Sequence, residues 1–180
     1  MFPVRLSKRE CTDAAKIGFF LNEAQIGYLG LSDGELPYVI PLNFEYADGA
    51  FYFHGADAGR KMDIIRKNNA ACFTVSEHYG TITSPVPAHT DSAYMSVIAF
   101  GKLQIVDALD EATAAMQRLL DKYVPGYYDK PLSRAHVEKH RSSIGGKTTV
   151  LKLVCSSMTA KENEPSEGHM FRPGMTISGD

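Results

Sequence analysis

Two Asp-Gly pairs, Asp33-Gly34 and Asp48-Gly49, each separate runs in which apolar and polar residues alternate. Asp-Gly tolerates the positive φ of a tight hairpin turn, and between alternating runs it is a strong short-range signal for antiparallel pairing. The spacing predicts a three-stranded meander over residues 26–32, 36–46 and 50–54. With two-residue loops, Leu31 faces Leu36 and Leu29 faces Tyr38 across the first turn. Across the second, Ala47 faces Ala50, Tyr46 faces Phe51, Phe44 faces Phe53 and Asn43 faces His54. One face then gathers Leu29, Leu31, Ile40, Leu42, Phe44, Tyr46, Phe51 and Phe53. The other gathers Pro41, Asn43, Glu45, Tyr52 and His54, and Pro41, which has no N–H, marks an edge or a bulge.

Beyond the meander, Thr12 or Asp13 caps a helix reaching Glu23, and residues 60–68 form a short helix. Strands follow at 71–76, at 94–107 with a bend at Gly101, and at 148–160. Asp110 caps a helix to Val124, and Ser133 caps another. Residues 77–92 read as a long loop with Tyr79 and Thr81 to Thr83 as candidate lid residues. Six meandering strands with a few short helices predict a mainly β (α+β) fold, a small antiparallel barrel. The expected organisation is a single domain over residues 1–160 and a polar tail over 161–180.

The 180 residues, 44% hydrophobic and 22% charged, suffice for one core. There is no apolar run long enough to span a membrane and no apolar signal core at the N-terminus. Cys11, Cys72 and Cys155 have neither metal nor redox spacing, so a reducing, cytoplasmic location is expected. His136 and His140 are spaced for a shared metal but lack a third ligand, so no metal site is expected. A net charge of -2 without a basic block argues against a nucleic-acid partner and leaves room for a local anion pocket.

That pocket is placed by residues 51–61, where a strand ends on His54-Gly55 and a helix opens on Gly59-Arg60-Lys61. A helix N-terminus carries roughly half a positive charge, so cations there forfeit about 0.3–1 kcal/mol each. Backbone N–H groups, Arg60 and Lys61 together offer an anion charge-assisted bonds of about 1.5–3 kcal/mol each, which outweigh that cost. A phosphate is the expected occupant. Arg66 and Lys67, at the other end of the same helix, are explained by the dipole alone. Asp57 reads as an early capping residue.

The ordered strings Pro37-Tyr-Val-Ile-Pro-Leu-Asn-Phe44, Tyr52-Phe-His-Gly-Ala56, Gly59-Arg-Lys61, Tyr94-Met-Ser-Val-Ile98 and Met158-Thr-Ala-Lys161 resemble the pyridoxamine 5′-phosphate oxidase-like flavoproteins. Within them the chain looks most like the 5-nitroimidazole reductase branch. The resemblance covers roughly residues 12–161 and implies a six-stranded antiparallel split β-barrel of FMN-binding type, a homodimer with the cofactor at the subunit interface. It implies that Arg60 and Lys61 grip the flavin phosphate beside Gly55, and that Pro41, Leu42 and Asn43 lie along the isoalloxazine. It also implies that Ser96 and Lys161 are cofactor contacts, and that His54 sits near flavin and substrate as the candidate catalytic residue. Ala160 stands where relatives commonly have glycine. The implied activity is an FMN-dependent oxidoreductase acting on a nitro-aromatic or another small electron acceptor. The alternative is a haem- or flavin-binding protein without robust turnover, in which His54 is an axial ligand.

Overall fold

The computed structural model describes residues 3–139 and 148–177. The chain enters through a two-residue strand, β1 (Glu10–Cys11), and Asp13 then caps α1 (Ala14–Glu23). The Asp13 carboxylate accepts the N–H groups of Ala15 at 2.9 Å and Lys16 at 3.1 Å, so two of the helix's orphan donors are satisfied. There follow β2 (Gly27–Asp33), β3 (Leu36–Leu42), β4 (Glu45–Ala47), β5 (Ala50–Ala56), α2 (Arg60–Lys67), β6 (Ala70–Ile82) and β7 (Asp91–Ile105). The helices α3 (Leu109–Tyr123) and α4 (Arg134–Lys139) precede β8 (Thr148–Asn163). The strands form one antiparallel sheet in the order β3-β2-β6-β7-β8-β5-β4, with β1 on β8.

The described sheet has eight strands instead of the expected six. One addition is β1; the other arises because the expected second strand breaks at Asn43-Phe44. Its first half, β3, pairs with β2, and its second half, β4, pairs with β5. The two edges of the sheet are therefore joined by consecutive chain, an arrangement of split-barrel type. A side chain replaces the missing ladder at the break: Phe44 donates its N–H to Tyr123 Oη at 2.9 Å, and that hydroxyl donates to the Gln25 carbonyl at 2.6 Å. The backbone donor is satisfied without a neighbouring strand.

The second turn has the expected register, Ala47 with Ala50 and Tyr46 with Phe51, down to Glu45 with Tyr52. Pairing stops there, so Asn43 and His54 are not ladder partners; β5 continues instead along β8, where His54 faces Val150. The first turn also differs. Asp33 pairs with Leu36, so the loop is Gly34-Glu35, and Leu31 meets Tyr38 while Leu29 meets Ile40. The slip keeps every side chain on its expected face because side chains alternate with period two.

The inner face carries the core. Phe44, Phe51, Phe53 and Phe73 are fully buried with Leu29, Val97, Leu151 and Leu153. The outer face of β5 and β8 is covered by α3: Tyr52 packs with Ala112, Ala115 and Val150, and its hydroxyl donates to Glu111 at 2.9 Å. Leu109, not Asp110, opens α3, and no side chain caps it. Half of residues 77–92 is strand, because β6 runs on to Ile82 and β7 begins at Asp91, and the expected long loop shortens to residues 83–90. β6 and β7 run on as a long hairpin past a register shift between His78 and Gly80, and Gly80 takes a φ of 132°. At Gly101 the β7–β8 register shifts, and a side chain there would run into the Val154 carbonyl. Beyond β8 the tail folds back on the hairpin: the His169 carbonyl accepts the Thr83 N–H at 2.7 Å, and Phe171 donates to the Thr81 carbonyl at 2.8 Å. No described helix is long and apolar enough to cross a membrane.

Candidate functional site

β5 delivers His54 and Gly55 to the sheet edge next to the segment that starts α2. Gly59 takes a φ of 97°, a conformation that L side chains rarely adopt, and turns the chain into the helix. The Met62 and Asp63 N–H groups both return to the Gly59 carbonyl, at 2.8 and 3.1 Å. Among the described residues no side chain caps this end, Asp57 included, and none accepts the N–H groups of Arg60 and Lys61, which the helix itself leaves unpaired. Arg66 braces the entry loop from the next turn by donating to the Asp57 carbonyl at 2.7 Å.

Lys61 reaches back over β5. A Cβ on Gly55 would lie 2.5 Å from Lys61 Nζ, so any larger residue there would make the ammonium shift from its present place. Among the described residues Lys61 has neither a carboxylate partner nor a hydrogen bond. Burial holds its pKa below the ordinary lysine value. The sign of the consequence is definite: where the folded pKa is lowered, the unfolded chain binds more protons, so stability rises with pH through that window. At neutral pH the charged, half-buried amine is a cost. Lys61→Met keeps the stem and removes the charge, and is expected to raise the urea midpoint, with a gain of about 0.5–1 kcal/mol. A lowered midpoint would mean that the ammonium is already compensated.

Arg60 is placed differently. Its guanidinium lies 4.7 Å from the centre of the Tyr38 ring, and its Nε is 3.5 Å from Asp33 Oδ2. Tyr38 and Asp33 come from the β2–β3 hairpin, which the sequence alone does not connect with the cation pair. Arg60 Nε thus faces a carboxylate, which Lys61 lacks among the described residues.

The remaining expected residues fall into separate groups. Ser96 on β7 pairs with Ser76 on β6 and with Lys161 on β8, so the three form a polar row across adjacent strands. Lys161 lies within β8, which runs to Asn163. Pro41 faces Tyr28 on the exposed side of edge strand β3, and Leu42 turns inward against the core. Asn43 is exposed at the β3–β4 break, beside Tyr123. His54 is exposed on the outer face of β5. One chain therefore brings Lys61 over Gly55, with Arg60 next to it in sequence but against Tyr38 and Asp33, and separately Ser96 with Lys161; His54, one residue before Gly55, is on the opposite face of β5. His140, considered with His136 for a metal, lies outside the described residues.

Solved structures share this architecture. A protein from Bacteroides thetaiotaomicron, assigned provisionally to 5-nitroimidazole antibiotic resistance, is 24% identical; the match covers 84% of this chain and 85% of that one, with a TM-score of 0.67. The flavocytochrome Anf3 from Azotobacter vinelandii is 19% identical, covering 91% and 73%, with a TM-score of 0.74. An FAD- and haem-binding protein from Mycobacterium smegmatis is 16% identical, covering 88% and 76%, with a TM-score of 0.73. No curated protein matches the sequence significantly. The family model described as pyridoxamine 5′-phosphate oxidase matches residues 13–162, most of the sheet and the whole cation site, and the chain belongs to that family.

Proposed function

We propose that the chain binds FMN with its phosphate at the start of α2 and works as an FMN-dependent oxidoreductase on a small acceptor. The observation that carries this reading is Lys61, a half-buried ammonium without a counter-charge among the described residues, lodged over Gly55 at an uncapped helix N-terminus. A phosphate supplies the missing charge and accepts the free N–H groups, while Arg60 adds its Nη donors. Bound FMN supplies the redox chemistry, taking a hydride or an electron pair from a reductant and passing it to the acceptor. The protein holds and shapes. Backbone groups of Pro41, Leu42 and Asn43 meet the polar edge of the ring, Ser96 and Lys161 add polar contacts, and His54 orients the acceptor or gives it a proton. A nitro-aromatic acceptor suits this reading, since the structurally similar Bacteroides protein is assigned to 5-nitroimidazole resistance.

A homodimer with the cofactor at the subunit interface completes the reading. The outer face of β3, β2, β6 and β7 has no helix over it, and Val39, Tyr28 and Phe100 are 60%, 49% and 39% exposed. A shallow hollow of about 750 Å³ runs across it between Pro37, Val39, Cys72 and Phe100. Three free cysteines suit a reducing cytoplasm.

Exposed His54 also supports a second reading, as a haem ligand, because two structurally similar proteins carry haem or cytochrome in their descriptions. Reconstitution separates the two. With FMN offered, the purified protein is expected to show flavin absorption and to bind FMN at least about tenfold more tightly than riboflavin. Equal affinities would remove the phosphate site, and a dominant Soret band would favour haem.

A further inference from the structure

The two neighbouring cations at the start of α2 have unlike surroundings, and Asp33 makes the difference. Its carboxylate lies 3.5 Å from Arg60 Nε, with the two side chains 34% and 53% exposed respectively. It has no structural task in its own turn. Among the described residues it makes no hydrogen bond, and the side-chain bond across the hairpin loop comes instead from Ser32 Oγ to the Gly34 carbonyl at 2.7 Å. The Arg60 guanidinium is held independently on the Tyr38 ring, so it keeps its place when the carboxylate lets go.

Resting on the phosphate site proposed above, we infer that Asp33 is a resident counter-anion that competes with the incoming phosphate for Arg60 and holds the affinity below what the two cations alone would give. The carboxylate neutralises part of the guanidinium charge, and it repels a dianion that must share the same group. Lys61 has no such competitor. The site therefore has a strong, half-buried anchor at Lys61 and a moderated one at Arg60, which favours a cofactor that is held but exchangeable. Asp33 acts through Arg60, as a residue that sets phosphate preference.

Asp33→Asn tests this cleanly, because residue 33 is the strand partner of Leu36 outside the Gly34-Glu35 loop, and asparagine keeps the side chain's shape while removing its charge. FMN binding is expected to tighten by about threefold or more at low salt, riboflavin binding to stay unchanged, and the gain to shrink at high salt. In an Arg60→Ala background the same change is expected to do nothing. Asp33→Ser, which also removes the charge, is expected to give the same ordering even if the turn tolerates asparagine poorly. Unchanged or weaker FMN binding in both variants overturns the inference. So does equal tightening of riboflavin, or a gain that persists without Arg60. A wild-type protein that binds FMN and riboflavin alike means that the phosphate site itself has failed, and the role of Asp33 fails with it. Wild-type preference for FMN with no response to Asp33 rejects the counter-anion alone.

Discussion

Replacing Arg60 and Lys61 together by alanine is expected to lower the affinity for FMN by about 100-fold and that for riboflavin by less than about threefold. Charge-assisted hydrogen bonds contribute about 1.5–3 kcal/mol each, and one such bond from each cation already accounts for two decades. The loss falls unequally. Arg60 is half exposed and shared with Asp33, whereas Lys61 is half-buried and unshared, so Lys61→Ala is expected to cost more than Arg60→Ala. Lys61→Arg does not restore binding. The amine lies 2.5 Å from where a Cβ on Gly55 would be, and a broad planar guanidinium does not reproduce a compact ammonium placed that close to the strand. Flavin fluorescence titrations of the four proteins against both ligands give the answer. Parallel losses for FMN and riboflavin would mean that the pair shapes the pocket without holding a phosphate.

The cation pair is legible in the sequence because its signature is local: two positive side chains and two glycines around a strand-to-helix junction violate the ordinary preference of a helix start. The unlike fates of the pair are not local. Asp33 and Tyr38 reach Arg60 only because β2 and β3 pack beside α2, and no pattern within residues 51–61 encodes that. The second Asp-Gly turn is legible to the residue, since its loop has the length that the dipeptide favours. The first is off by a slip that preserves alternation, so period-two reasoning finds the right faces and the wrong partners.

The break at Asn43-Phe44 is hidden for a related reason. Leu42, Phe44 and Tyr46 continue the apolar alternation through it, and the group that satisfies the freed backbone, Tyr123, comes from a helix far along the chain. In residues 77–92 the error runs the other way. Gly80, Pro85 and Pro87 look like breakers, yet Gly80 is absorbed as a register shift, and Pro87 sits in a single 3₁₀ turn at the hairpin tip.

Phe73→Ala is expected to cost about 3–5 kcal/mol of stability, the largest loss from any single substitution considered for this chain. Phe73 is fully buried on β6, and its ring lies 5.2, 4.9 and 4.9 Å from the rings of Phe44, Phe51 and Phe53. These partners sit on β5 and at the β3–β4 break, which are not ladder neighbours of β6. The ring therefore joins β6 to β5 and to the β3–β4 break across the interior, a link that no backbone hydrogen bond supplies. Its site cannot collapse easily. Gly27 faces the same ring with no side chain of its own, and any Cβ there would enter the space the ring occupies, so deletion leaves a void walled by aromatic faces and bare backbone. A domain of ordinary stability has only about 5–15 kcal/mol in total, and at the low end of that range the variant keeps about 0–2 kcal/mol, so that up to about half of it is unfolded at 25 °C. Phe73→Leu, which fills most of the volume, is expected to lose less than half as much. Urea denaturation of both variants measures the difference. A Phe73→Ala loss below about 1 kcal/mol would mean that the two sheet edges are held together by the Asn43-Phe44 link and its Tyr123 bond instead of by the aromatic cluster.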